Sequence, residues 1–117
     1  MATRMLDRTP KCLPRDHVRR RTAETSRDAC ERAAAIFRAL GDTSRLQMLA
    51  MLAGGDLCVT EIAARLGDNL SAVSQRLRLL RSERIVKQRR DGKHIFYSLA
   101  DRHVAEMISN ALAHAEE

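Results

Sequence analysis

Aromatic side chains make up only 3% of this 117-residue sequence, with no tryptophan, one tyrosine and two phenylalanines. So sparse a set excludes a stacking platform of the kind that holds single-stranded nucleic acid. Two prolines and five glycines are too few for a low-complexity chain. Three cysteines, an odd number, argue against a disulfide scaffold and for a reducing, cytoplasmic compartment. No apolar run approaches the roughly 20 residues of a membrane helix. No apolar h-region follows the N-terminus, so neither a membrane partner nor a secretory signal is expected. A glycine-rich phosphate loop and a nucleophile–base motif are also missing, so the chain does not read as an enzyme.

What is present is one domain's worth of chain, 44% hydrophobic, with 21 Lys+Arg against 15 Asp+Glu and a net charge of +6. The positive charge is concentrated. Residues 71–95 hold eight basic and two acidic side chains, a local +6, whereas residues 96–117 hold one and four, a local −3. Residues 1–28 contribute +4 and residues 29–70 contribute −1. A small basic protein of this kind has nucleic acid as its natural partner.

Residues 1–25 contain both prolines and no apolar period, so they are expected to form a mobile basic tail. A domain is expected over residues 26–117. Ala29, Ala33, Ile36, Phe37 and Leu40 recur at helical spacing, and Gly41 stops that helix. Thr43 is placed to cap a second helix carrying Leu46, Leu49, Met51 and Leu52, which ends at Gly54-Gly55. A short helix from about Thr60 buries Ile62, Ala63 and Leu66 and stops at Gly67. Asn69 then caps a helix from Leu70 to about Arg81, with Leu70, Val73, Leu77 and Leu80 inward. Two short helices joined by a tight glycine turn make a helix-turn-helix. Ile85–Arg89 and His94–Leu99 read as strands around Asp91-Gly92, a strong hairpin signal. This hairpin is a wing. A last helix runs from about Asp101, with Val104, Met107, Ile108, Ala111, Leu112 and Ala115 as its apolar stripe. The expected fold is therefore mainly α with a small β-hairpin wing.

From Phe37 to Glu117 the chain resembles the ArsR/SmtB family of metal-responsive winged-helix repressors. The residues that carry the resemblance are Ala39-Leu40-Gly41-Asp42 with Arg45-Leu46, then Asp56-Leu57-Cys58-Val59, then Ser71-Ala72-Val73-Ser74 with Leu77, and the wing Gly92-Lys93-His94-Ile95-Phe96-Tyr97 with Leu99. The resemblance implies a homodimer through the first and last helices, with the helix from Leu70 reading the major groove of operator DNA. On such a helix the outward positions are Ser71, Ser74, Gln75 and Arg78, suited to base edges. Arg76, Arg81, Arg89, Arg90 and Lys93 suit phosphates, which set affinity and register rather than sequence preference. Family members often carry histidine where Gln75 stands.

The last helix also carries Asp101, His103, His114 and Glu117, ligand types suited to zinc and also to cobalt or nickel. His114 and Glu117 are three residues apart and can face one ion; Glu116 is an alternative to Glu117. Asp101 and His103 can converge at the helix start. The two pairs cannot share an ion within one chain. His103 and His114 are 11 residues apart, about 16 Å along the axis, with an angular offset of only about 20°. If this helix packs antiparallel against that of a second copy, the pairs meet and two-fold symmetry makes two four-ligand sites. The same spacing matches the C-terminal-helix zinc site of the family's zinc-sensing branch.

Soft-metal sensors of the family carry Cys-Val-Cys on the helix-turn-helix. Here Cys58-Val59-Thr60 lacks the second thiolate. A candidate second site remains in Cys58 and Glu61 with Cys12 and Asp16 or His17 from the tail. Cys30 reads as core or interface packing. The expected function is a repressor that binds operator DNA as a metal-free homodimer and leaves it when zinc, as allosteric effector, binds. In the resemblance, a bond from His114 toward about Arg84 transmits the signal. The alternative is a repressor sensing a thiol-reactive signal or soft metal through Cys58 and Cys12.

Overall fold

The computed structural model describes Leu13 and residues 25–117. The expected tail, with Cys12, Asp16 and His17, therefore lies almost entirely outside the described residues. Five helices and three short strands follow in the order α1 (Arg27–Leu40), α2 (Thr43–Leu52), β1 (Leu57–Cys58), α3 (Val59–Leu66), α4 (Leu70–Ser82), β2 (Val86–Asp91), β3 (His94–Leu99) and α5 (Arg102–Ala115). None of these helices is long and apolar enough to cross a membrane.

Side chains start the helices. Ser26, Asp42, Asn69 and Asp101 accept from the backbone N–H three residues on, at 3.1, 2.9, 2.7 and 3.0 Å. Asp42 rather than Thr43 caps α2. The same turn is braced by Arg45, whose Nε donates to Ala39 O at 2.6 Å and Nη2 to Arg38 O at 3.2 Å, joining the end of α1 to α2.

The core gathers Met48 and Leu49 of α2, Ile62 of α3, Val73, Leu77 and Leu80 of α4, Ile85, and Ile108 of α5, each almost fully buried. Three inward assignments fail in the single chain. Leu70, the first residue of α4, is 47% exposed. Phe37 is 63% exposed, and Ala33 is exposed as well, because only Ala39 of α1 is buried. Cys30 is also exposed.

The sheet is antiparallel in the order β1-β3-β2. The wing is the β2–β3 hairpin, in register from Val86↔Leu99 to Asp91↔His94. Its loop is Gly92-Lys93, with Gly92 at φ +63°. That is the first central position, where a two-residue hairpin turn with glycine needs positive φ. Asp91 is thus the last strand residue, not part of the loop. β1 was not expected. It has two residues and pairs Leu57 with Tyr97 and Cys58 with Phe96. Ile85 precedes β2 instead of opening it. Its N–H donates to Leu80 O at 2.9 Å and its carbonyl accepts from Ala100 N at 2.9 Å, which pins it into the core.

Candidate nucleic-acid interface and metal centre

The turn between α3 and α4 is closed by local chemistry. Gly67 takes the left-handed conformation at φ +66°, as a helix C-terminus commonly requires. Asp68 N–H returns to Ala63 O at 3.1 Å. Asn69 then caps α4. This places α4 with Val73, Leu77 and Leu80 in the core and Ser71, Gln75 and Arg78 in solvent, while Ser74 is half-buried. Three of the four expected outward residues are thus exposed, and Ser74 is turned partly toward the fold.

The basic residues divide into two groups. Arg78, Arg90 and Lys93 are exposed, and no side-chain partner holds them among the contacts of the described residues. Arg76 is held: its Nη1 meets Asp68 Oδ2 at 2.6 Å. That contact and the Asn69 N–H hold the Asp68 carboxyl below its ordinary range. Arg89 lies 5.0 Å over the Phe96 ring and within 3.6 and 3.8 Å of Asp56 and Asp91. It is still more than half exposed, so these pairs are weak. Arg81 faces Gln88. With its amide oriented to suit its neighbours, Gln88 accepts from Arg81 Nη1 at 2.9 Å and donates to Tyr97 Oη at 3.1 Å. The end of α4 is thereby tied to both strands of the wing. These roles of Asp68, Gln88 and Tyr97 were not singled out by the sequence pattern, because their partners lie seven or more residues away and no helical period connects them.

α5 carries the four expected metal ligands in two pairs. Asp101 Oδ1 lies 3.9 Å from His103 Nδ1, and Glu117 Oε1 lies 3.8 Å from His114 Nδ1. A tetrahedral ion with bonds of ~2.0–2.1 Å sets adjacent ligand atoms about 3.3 Å apart. Each pair therefore needs only a small side-chain adjustment to grip one ion. All four side chains are more than half exposed. Among the described residues no group of three or more candidate ligands comes together within the chain. The two pairs sit at opposite ends of α5. Met107 and Leu112 are half-buried and Ala111 and Ala115 exposed, whereas Ile108 belongs to the chain's own core. The free seam of α5 is therefore narrower than the apolar stripe suggested. His114 does not reach Arg84 within one chain: Arg84, in a left-handed turn at φ +60°, lines a cleft with Asp101 and His103 at the other end of α5.

Of the candidate second site, the described residues include Cys58 and Glu61. Cys58 is buried at the start of α3, with Sγ 2.9 Å from Thr60 Oγ1. Glu61 Oε1 accepts from Cys58 N–H at 3.1 Å, one half of a capping box. That bond lowers the Glu61 pKa. Glu61 thus helps to start α3, as Asp101 starts α5, and the expected partners Cys12, Asp16 and His17 lie outside the described residues.

Comparison with known proteins agrees with this geometry. A family model described as bacterial regulatory protein, arsR family, matches residues 42–88. The chain is 45% identical over 92 residues to a transcriptional repressor SmtB homolog of Synechocystis, covering 79% of this chain and 70% of that protein. It is 40% identical over 97 residues to the transcriptional regulator NmtR of Mycobacterium tuberculosis, covering 83% and 81%. The solution structure of a homodimeric winged helix-turn-helix DNA-binding domain from Mycobacterium bovis matches with a TM-score of 0.73 at 32% identity, covering 83% of this chain and 92% of that one. The chain belongs to the ArsR/SmtB family of bacterial regulatory proteins, and is a winged-helix transcriptional regulator rather than an enzyme.

Proposed function

We propose that this regulator is a zinc-responsive repressor of the cytoplasm. It binds double-stranded operator DNA as a metal-free homodimer and releases it when metal binds between the α5 helices of two protomers. The observation that carries this reading is the division of Asp101, His103, His114 and Glu117 into two His–carboxylate pairs at opposite ends of one helix. An antiparallel partner helix completes each pair with the other. A divalent ion so held would cross-link the protomers in a closed four-ligand site with no open position for catalysis. Cobalt and nickel suit the same donors.

Ser71, Ser74, Gln75 and Arg78 face the groove in this reading, with Arg89, Arg90 and Lys93 on phosphates. The chain connects the two sites directly. Asp101 caps α5, the preceding Ala100 N–H donates to Ile85 O, and Ile85 N–H donates to Leu80 O of α4. A shift of the first turn of α5 thus bears on the end of the recognition helix. Release requires tighter metal binding by the DNA-free arrangement.

Cobalt(II) titration of the reduced protein, followed by its absorption spectrum, tests the site. Tetrahedral visible bands without a sulfur charge-transfer band, at one ion per protomer, are expected. A strong near-ultraviolet thiolate band would move the site to Cys58 and Cys12. Absence of tight binding would leave a regulator whose signal is not metal.

A further inference from the structure

Arg76 stands in the middle of α4, next to Gln75, in the segment with the highest positive charge. It is nonetheless held away from solvent. Its side chain is 27% exposed and that of Asp68 33%, with Nη1 and Oδ2 2.6 Å apart. The other Asp68 oxygen accepts from Asn69 N–H at 2.8 Å, and Asn69 Oδ1 accepts from Ala72 N–H at 2.7 Å. Gly67 and the Asp68 N–H complete the α3 terminus one residue earlier. Asp68 therefore joins the middle of α4 and its capping residue through its carboxylate, and the end of α3 through its backbone N–H. The carboxylate takes one edge of the guanidinium through Nη1, and a phosphate approaching Arg76 would meet a pair that carries no net charge.

We propose that Arg76 is a positioning residue and not a DNA contact: paired with Asp68, it locks the α3–α4 turn so that Ser71, Gln75 and Arg78 meet the groove at a fixed angle. This rests on the DNA-reading role of α4 proposed above. The two roles differ in a measurable way. Loss of a phosphate contact flattens the dependence of log K on log salt by about 0.9 and weakens all sequences alike. Loss of a positioning pair leaves the slope and weakens the preferred sequence.

The full chain is titrated, across a range of salt, with two probes: a duplex of random sequence, and the tightest duplex selected from a random library. Arg76→Gln and Asp68→Asn are each expected to weaken the selected duplex roughly fivefold, as for a part-buried ion pair of about 1 kcal/mol. The double variant is expected to be no worse than either single one, and the salt slope on the random duplex is expected to stay as in the wild type. Asp68→Asn is the sharper variant. It removes a negative charge near DNA, so pure electrostatics calls for tighter binding where positioning calls for weaker. It also leaves Arg76 and the core in place, so it decides the matter even if Arg76→Gln folds poorly. A flattened slope for Arg76→Gln together with unchanged or tighter binding by Asp68→Asn overturns the proposal while leaving the reading of α4 intact. No effect of either variant overturns it as well. If the wild type shows no salt-dependent duplex binding, the reading of α4 falls and this proposal with it.

Discussion

Glu61 shows how one side chain invites two readings. Beside a cysteine, a carboxylate suggests a ligand. In the fold it accepts the Cys58 N–H at 3.1 Å and starts α3. That bond favours the ionised form, so the Glu61 pKa lies below its ordinary 4.5. A depressed carboxylate pKa stabilises the folded state above the ordinary value, and this contribution is lost as pH falls through the folded value. Glu61→Gln keeps the acceptor but removes the titration. Thermal melts from neutral pH down to about 3 should therefore show a shallower loss of Tm below 4.5 for the variant than for the wild type. Parallel profiles would mean that the cap does not respond to charge. The sequence showed Cys58 and Glu61 three residues apart, the spacing of a capping box as much as of a ligand pair. The bond itself shows the capping role.

At the scale of elements, what was legible was what is locally encoded. Asn69, Gly67 and Gly92 announced the boundaries of α3, α4 and the wing, because caps and turns depend on neighbours in the chain. β1 was not legible. Two residues carry no period, and Leu57 and Cys58 become a strand only through pairing with Tyr97 and Phe96, some 40 positions away. The α4 stripe was legible as a stripe but not in depth. Leu70 and Leu80 belong to one expected stripe, about 80° apart around the helix, yet Leu70 is 47% exposed and Leu80 0%. Leu80→Ala should lower unfolding stability by about 3 kcal/mol, whereas Leu70→Ala should cost less than about 1. Urea unfolding of both variants checks this. Comparable losses would show that Leu70 is covered in the assembled protein.

The whole molecule is where the proposed metal site belongs. A helical period showed that His103 and His114 share a side of α5 and cannot share an ion, and the structure keeps the two pairs at opposite ends. What no single chain shows is the partner. Phe37, Ala111 and Ala115 are exposed, and in the proposed site each pair would supply half of a tetrahedral ligand set. If the sites form in trans, two defective chains can repair one another. In a His103→Ala homodimer, and likewise in a His114→Ala homodimer, both sites lack a ligand. In a mixed dimer, one site has lost both histidines and the other has Asp101 and His103 from one protomer with His114 and Glu117 from its partner. Equal amounts of the two variants, unfolded together and refolded to exchange subunits, should regain about one intact site per four protomers by statistical pairing. Cobalt(II) absorption reads this directly: the mixture should recover tetrahedral bands that both parents lack. A mixture no better than its parents would mean that the ligands do not meet across the dimer. The metal-driven release of DNA would then need a different site.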